Sequence, residues 1–180
     1  MRPVNVGVIG LGTVGAGTVD LLAQNGAEIA RRAGRDIRVT HAAVRDLNRT
    51  RDCATADIHL TDDPSVIVGN PEIDVVLELM GGEDTAYEAV STALLNGKHV
   101  VTANKALIAT RGNELFEQAS RAGLVIAFEA AVAGGIPVIK VMRESLAGNR
   151  IDSLAGILNG TCNFILTQIH ERGMDYDAIL

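Results

Sequence analysis

Residues 4–15 have the sequence VNVGVIGLGTVG, in which a short apolar run leads directly into a glycine-rich turn. Val4–Ile9 predicts a buried β-strand, because β-branched side chains dominate the run. Gly10, Gly12 and Gly15 follow with the spacing G-x-G-x-x-G, and the residues from Thr13 onward predict a helix. A strand before this spacing and a helix after it are typical of the first βαβ unit of a dinucleotide-binding domain.

Each glycine of this turn has a physical reason to be there. Gly10 permits a tight turn, Gly12 lets the backbone approach a pyrophosphate, and Gly15 lets the helix pack closely on the strand. Backbone N–H groups at the start of the helix then point toward the diphosphate. The predicted phosphate-binding residues are Gly10, Leu11, Gly12, Thr13, Val14 and Gly15.

Along the rest of the chain, short β-rich runs alternate with longer helical patterns, which indicates consecutive βαβ units. Six strands are predicted, the number expected of two mononucleotide-binding halves. The sequence therefore predicts an α/β fold, a Rossmann-type doubly wound sheet whose strands are mostly parallel. The predicted strands are 4–9, 37–44, 58–60, 73–79, 98–102 and 124–128.

The helical patterns include a long helix over 13–32 and a shorter one over 113–122. The long helix is predicted to turn one apolar face inward, formed by Val14, Leu21, Leu22 and Ile29.

The alternation changes after residue 128. A helix is predicted over 137–146, a strand over 151–158 and a further helix over 160–171. We therefore expect residues 1–129 to form the dinucleotide-binding domain, and residues 130–180 to be the truncated beginning of a second, α+β domain.

Composition excludes several classes of protein. The net charge is −6 and no long basic cluster occurs, which argues against a nucleic-acid binder. The apolar run 124–141 contains Glu129, Lys140 and a Gly-Gly-Ile-Pro break, so no membrane span is expected. Cys53 and Cys162 lack metal-ligand spacing and are expected to be reduced thiols of a cytoplasmic protein.

The end of the second predicted strand carries the residues that distinguish NAD from NADP. An acidic residue there binds the ribose hydroxyls of NAD, whereas an arginine accommodates the 2′-phosphate of NADP. Arg45 and Asp46 are both present. Arg45 comes first after the strand, so the sequence favours NADP. Two alternatives stay open, namely that the cofactor is NAD and that Arg45 is only a solvated surface charge.

Two loops are predicted at the nicotinamide end of the cofactor, because ligands bind beyond the carboxyl ends of parallel strands. Gly81 follows the fourth strand, and Thr102, Ala103 and Lys105 follow the fifth. An ammonium group there stabilises the negative charge that develops on a carbonyl oxygen during hydride transfer, or donates a proton. A solvated lysine at a helix start is the alternative for Lys105.

Three blocks of sequence resemble homoserine dehydrogenases. They are Gly97 to Ala106 (GKHVVTANKA), Glu129 to Pro137 (EAAVAGGIP) and Gly156 to Leu166 (GILNGTCNFIL). Together with the glycine motif near the start of the chain, they extend the resemblance over essentially the whole chain.

The resemblance implies interconversion of L-homoserine and L-aspartate 4-semialdehyde with NADP or NAD, in the route to threonine, methionine and isoleucine. It also implies that Lys105 lies at the junction of cofactor and substrate, while the principal proton donor and acidic substrate-binding residues lie beyond residue 180. The second domain is then a substrate and dimerisation domain, and the full-length parent a homo-oligomer. A monovalent cation such as sodium is implied at the carbonyl oxygens of Glu129, Val132, Gly134 and Ile136.

Other functions remain open at the level of sequence. Sugar and cyclitol dehydrogenases share this kind of first domain, but they usually carry Glu-Lys-Pro where this chain has Asn104-Lys105-Ala106. An aldehyde dehydrogenase needs a nucleophilic cysteine with a histidine partner, and no such pairing is evident. A cofactor-sensing module without catalysis is the third alternative.

Overall fold

The computed structural model describes residues 2–157 and 159–179, and the chain divides into two compact units, Met1–Val132 and Ala133–Leu180. The first unit contains a six-stranded sheet in which every neighbouring pair of strands is parallel. The strand order β3-β2-β1-β4-β5-β6 is that of a Rossmann-type fold, as predicted. The strands are Val4–Ile9 (β1), Ile37–Ala43 (β2), His59–Thr61 (β3), Val75–Glu78 (β4), His99–Thr102 (β5) and Ile126–Ala127 (β6).

Helices connect these strands and cover the sheet. One apolar core includes the strand residues Ile9, Val76 and Val100 and residues from the third, fourth and fifth helices. A smaller core includes Val6 and Val8, whose side chains alternate with Ile9 to the opposite face of the sheet. The helices of the first unit are Thr13–Gln24 (α1), Gly26–Ala33 (α2), Pro64–Gly69 (α3), Asp84–Leu95 (α4) and Lys105–Arg121 (α5).

The single helix predicted over 13–32 is wrong, because the structure has two helices that meet at Asn25. The Asn25 N–H donates to the Leu21 carbonyl and closes α1, and α2 then begins at Gly26. The predicted inward face is also wrong in part, since Val14 is 54% exposed and Leu21 is 53% exposed. Gly15 and Val19 are the buried residues of α1, so close packing by a glycine decides which face turns inward.

The fifth helix begins earlier than the predicted start at residue 113. It starts at Lys105, because the Asn104 side chain accepts a hydrogen bond from the Leu107 N–H at 3.1 Å and caps the first turn. Gly112 does not interrupt the helix; it is buried within it.

A buried lysine holds the loop between α3 and β4. Lys98 is 3% exposed, and its ammonium donates to the carbonyl oxygens of Asn70 and Ile73, the latter at 2.9 Å. Burial lowers the pKa of Lys98, while Asp74 nearby favours the charged form. The lysine thereby pairs the carbonyl of the C-cap residue of α3 and a carbonyl of the loop that follows.

The second unit contains α6 (Val138–Lys140), a π-helical segment (Val141–Ser145), α7 (Gly160–Arg172) and α8 (Tyr176–Ile179). The strand predicted over 151–158 is wrong for 151–157, which contain no regular structure, and Leu158 lies outside the described residues. A strand needs a neighbour to pair its backbone groups, and the described part of this unit offers none. No described residue of the unit is buried.

None of the helices in the described part of the chain has the length and apolar character needed to cross a membrane.

Candidate nucleotide-binding site

The turn after β1 has the close contacts that its glycines predict. Gly10 has φ +102°, and a Cβ atom there would lie 2.7 Å from the Leu79 carbonyl oxygen. A Cβ atom at Gly15 would lie 2.1 Å from the Gly10 carbonyl oxygen, so only glycine lets α1 approach β1 this closely. Gly12, by contrast, has open space at its Cβ position, which leaves the backbone there accessible to a ligand.

The first turn of α1 presents an anion-binding end. Its N-cap residue is Gly12, which has no side chain to accept a hydrogen bond from the helix N–H groups. Thr13 and Val14 are exposed and occupy the first two positions of the helix. N–H groups at this end have no partner within the helix, and the helix dipole adds positive potential, so a phosphate is the ligand that this end suits.

A crevice of about 610 Å³ opens at the carboxyl ends of β1, β2 and β4. This is where the strand order reverses, since β1 pairs with β2 on one side and β4 on the other. The glycine turn forms one wall, and Leu79, Met80 and Gly81 form part of the opposite wall. The predicted residues that line it are Gly10, Leu11, Gly12, Arg45 and Gly81.

Three arginines line the end of the crevice beyond β2. Arg45 and Arg49 are exposed, and Arg51 donates hydrogen bonds to the backbone carbonyls of Asp46 and Arg49. Asp46 also lies here, and it accepts a hydrogen bond from the Asn48 N–H at 2.9 Å. Sequence reasoning identified Arg45 and missed Arg49 and Arg51, although all three belong to one short segment after β2.

A buried polar pair lies at the carboxyl ends of β4 and β5. Glu78 and Thr102 are register partners on these strands, and both are fully buried. The Thr102 hydroxyl donates to Glu78 Oε2 at 2.6 Å, and the Met80 N–H donates to Glu78 Oε1 at 3.1 Å. Sequence reasoning missed Glu78, because a single glutamate at the end of an apolar strand gives no indication of burial.

The loop after β5 continues this network. The Asn104 N–H donates to the Thr102 hydroxyl at 3.0 Å, and the Asn104 side-chain amide donates to the Gly82 carbonyl at 2.6 Å. Asn104 therefore links the loop after β5 to the loop after β4. Ala103 is half-buried beside it, and Lys105, the next residue, is exposed at the first position of α5.

The predicted site residues thus fall into two groups. In the first group, Gly10, Leu11, Gly12, Arg45 and Gly81 line the crevice, whereas Thr13, Val14 and Gly15 follow Gly12 at the start of α1, outside its lining. Thr102, Ala103 and Lys105 lie outside its lining, connected to it through Asn104 and Gly82.

The four residues predicted to hold a cation through their carbonyl oxygens follow β6. Glu129 begins a 3-10 turn that ends at Ala131, and its carbonyl accepts a hydrogen bond from the Val132 N–H at 3.3 Å. The Ile136 carbonyl accepts one from the Val138 N–H at 2.8 Å. Glu129 and Val132 belong to the first unit, and Gly134 and Ile136 to the second, so the cation site stays a prediction.

Comparison with known protein families shows the family to which the chain belongs. Residues 10–129 match the family model described as the NAD-binding domain of homoserine dehydrogenase, and residues 137–180 match the homoserine dehydrogenase model. The chain belongs to the homoserine dehydrogenase family. The predicted family is therefore confirmed.

Individual homoserine dehydrogenases are similar over the whole chain. The enzyme of Pseudomonas aeruginosa is 56% identical over 180 residues, which are 100% of this chain and 41% of the relative. That of Neisseria gonorrhoeae is 50% identical over 183 residues, again 100% of this chain and 41% of the relative. The chain therefore spans about two fifths of the length of the curated homoserine dehydrogenases that it matches.

Solved homoserine dehydrogenases have the same fold. The crystal structure of the Thiobacillus denitrificans protein has a TM-score of 0.91 and 54% identity, covering 99% of this chain and 41% of that one. A hyperthermophilic archaeal homoserine dehydrogenase in complex with NADPH has a TM-score of 0.80 and 26% identity, covering 99% of this chain and 59% of that one.

Proposed function

We propose that this chain is the cofactor-binding part of an oxidoreductase that interconverts L-homoserine and L-aspartate 4-semialdehyde. The observation that carries the proposal is the glycine turn. Gly15 lies against the Gly10 carbonyl, Gly12 leaves the backbone open, and the turn forms one wall of the crevice between β1 and β4. These are the features that a diphosphate at a helix N-terminus requires.

The cofactor we propose is NADP, with NAD as the alternative. Arg45 and Arg49 are exposed at the crevice end beyond β2, where the adenosine ribose binds in this fold, and they provide positive charge for a 2′-phosphate. The similarity to a family member in complex with NADPH also supports this choice.

Gly81, Thr102 and Ala103 would line the nicotinamide end of the cofactor. A bound nicotinamide supplies the hydride for reduction of the aldehyde, or accepts it from the alcohol. We propose that Lys105 stabilises the negative charge that develops on the substrate oxygen during this transfer. Lys105 is exposed at the start of α5, next to the loop that a hydrogen bond from Asn104 connects to Gly82.

The remaining parts of the proposal concern the parent protein. Residues 1–129 would form the cofactor domain, and residues 130–180 would begin a substrate and dimerisation domain. We propose that the parent is a homo-oligomer in the cytoplasm, with a small-molecule substrate and no nucleic-acid partner. The main-chain carbonyls of Glu129, Val132, Gly134 and Ile136 suit a hard monovalent cation such as sodium.

The proposal is tested by measuring NADP+ reduction with L-homoserine. This chain and a chain extended to the natural C-terminus of the parent would be assayed side by side, together with NADPH binding by each. We expect homoserine-dependent turnover by the extended chain and binding with little or no turnover by this one. Binding by both chains without turnover by either would contradict the proposed reaction and favour a cofactor sensor.

A further inference from the structure

A buried acidic side chain lies beneath the two loops of the proposed nicotinamide end. Glu78 is fully buried, and the donors to its two oxygens are the Met80 N–H and the Thr102 hydroxyl, both neutral groups. Burying a carboxyl group in a protein interior is costly unless its hydrogen bonds are satisfied. A valine or leucine at the end of β4 would fill this part of the core without that cost, so the acid calls for a specific reason.

We infer that Glu78 is a positioning residue, which fixes the loop after β4 and the loop after β5 relative to each other through hydrogen bonds. The inference rests on the proposed function, because these loops are the ones assigned to the nicotinamide ring and to Lys105.

The loop after β4 depends on such bonds because of its composition. Gly81 and Gly82 are consecutive and have φ +73° and +80°, in the region that favours glycine. Two adjacent glycines leave the backbone with wide conformational freedom. Hydrogen bonds fix both ends of this segment: Met80 N–H donates to Glu78 Oε1, and the Gly82 carbonyl accepts from the Asn104 amide.

The loop after β5 is held by the same chain of contacts. Glu78 Oε2 accepts a hydrogen bond from the Thr102 hydroxyl. This bond orients the hydroxyl so that its oxygen accepts a hydrogen bond from the Asn104 N–H at 3.0 Å. Asn104 in turn caps α5 by accepting from the Leu107 N–H. The position of Lys105, the first residue of that helix, is therefore connected through Thr102 and Asn104 to one carboxyl group.

Replacing Glu78 by glutamine disrupts this arrangement without changing its size. A glutamine side chain has one oxygen and one amide nitrogen, so it can accept from only one of the two donors. If its oxygen accepts from Met80, its nitrogen meets the Thr102 hydroxyl, whose proton loses its acceptor. One of the two donors thus loses its acceptor, and the link between the two loops should weaken.

The test compares intact NADPH with 2′,5′-ADP, a fragment that lacks the nicotinamide. Glu78→Gln should bind NADPH about tenfold more weakly than the unmodified chain, while its affinity for 2′,5′-ADP changes by less than about twofold. The matched control is Glu88→Gln, the same substitution at an exposed glutamate of α4, which should leave both affinities unchanged. Hydrogen exchange at the Met80 or the Asn104 amide should also accelerate in Glu78→Gln and stay unchanged in Glu88→Gln.

Thr102→Val provides a second route if Glu78→Gln fails to fold. It removes the hydroxyl between Glu78 and Asn104, so the Asn104 N–H loses its acceptor and its exchange rate should rise. Both substitutions interrupt the same series of hydrogen bonds, so their effects on NADPH affinity should not add. The double variant should have the affinity of whichever single variant binds NADPH less tightly.

The outcomes separate this inference from the proposed function. Equal losses for NADPH and 2′,5′-ADP, or no loss for either, would overturn the positioning role of Glu78 without contradicting the proposed function. Failure of the unmodified chain to bind either compound would overturn the proposed function itself, and the positioning role with it.

Discussion

Arg45 is the residue from which a preference for NADP is expected. It is exposed at the crevice end beyond β2, with Arg49 in the same lining. If its guanidinium binds the 2′-phosphate, Arg45→Ala should weaken NADPH binding about tenfold and change NADH binding by less than about twofold. Titration of both nucleotides against the variant measures this.

A second exposed arginine serves as the control for Arg45. Arg38 lies on β2 and pairs with Asp36 at 2.9 Å, outside the crevice lining, so Arg38→Ala should leave both affinities unchanged. If Arg45→Ala weakens NADPH and NADH equally, the 2′-phosphate is not the group that Arg45 contacts. Asp46 would then be the residue to test as a ribose ligand for NAD.

His41 should make the stability of the first unit depend on pH. Burial lowers the pKa of His41, and the neighbouring His59, whose ring centroid is 5.3 Å away, lowers it further. A histidine with a depressed pKa in the folded state binds fewer protons there than in the unfolded chain. The free energy of unfolding should therefore fall as the pH decreases from about 7 to about 5, through the ordinary histidine value of about 6.5.

Denaturant unfolding across this pH range tests the role of His41. The free energy of unfolding of His41→Gln should depend less steeply on pH than that of the unmodified chain, because one group that takes up a proton on unfolding has been removed. His170→Gln is the control, since His170 is exposed on α7. Identical slopes for His41→Gln and the unmodified chain would show that another group determines the acid sensitivity.

The contact between α1 and β1 can be tested with two glycines of the same helix. Gly15→Ala would place a Cβ atom 2.1 Å from the Gly10 carbonyl oxygen, so α1 must shift. We expect a loss of about 1–3 kcal/mol in the free energy of unfolding, together with weaker NADPH binding. Thermal unfolding and nucleotide titration check both effects.

Gly17→Ala is the matched substitution, because Gly17 lies on α1 with open space around its Cβ position. Alanine favours a helix over glycine, so this variant should be more stable by about 0.5–1 kcal/mol. If Gly15→Ala were as stable as Gly17→Ala, the close approach of α1 to β1 would not be needed for stability.

Strands and helices differed in how well the sequence predicted them. Strands such as Val4–Ile9 were predicted because they are short runs rich in β-branched residues between turns. The start of α5 was missed because its cap, Asn104, follows β5 with a single residue between them. The break at Asn25 was missed because apolar periodicity continues across it.

The site was predictable only where local sequence dictates its geometry. The glycine turn could be predicted, since each glycine answers a local steric demand. Glu78 could not, because its role depends on register pairing with Thr102, which lies on a neighbouring strand far along the chain. The strand over 151–158 was predicted from the local residues alone, which do not supply the partner that a strand requires, and its described part, 151–157, has no regular structure.

At the scale of the whole molecule, the two units differ in how much apolar surface they bury. The first contains both apolar cores, whereas in the second no described residue is buried and Ile157 is 74% exposed. We expect a chain of residues 1–132 to keep its NADPH affinity within about twofold. It should also bind far less of a fluorescent apolar dye such as ANS than the full 180 residues.

Loss of NADPH binding on removal of residues 133–180 would contradict the assignment of the cofactor site to the first unit. Equal dye binding by the two chains would show that the exposed side chains of α7, such as Phe164 and Leu166, are covered in solution.

The strand order has a consequence for synthesis on the ribosome. β1 is the first strand made, yet it lies at the centre of the sheet with β2 on one side and β4 on the other. A nascent chain that ends before β4 already contains the glycine turn but lacks the opposite wall of the crevice, which Leu79 and Gly81 supply. It also exposes an unpaired edge of apolar β1, and such edges promote aggregation. A chaperone would therefore protect the nascent chain from aggregation mainly before residues 75–78 emerge and pair with β1.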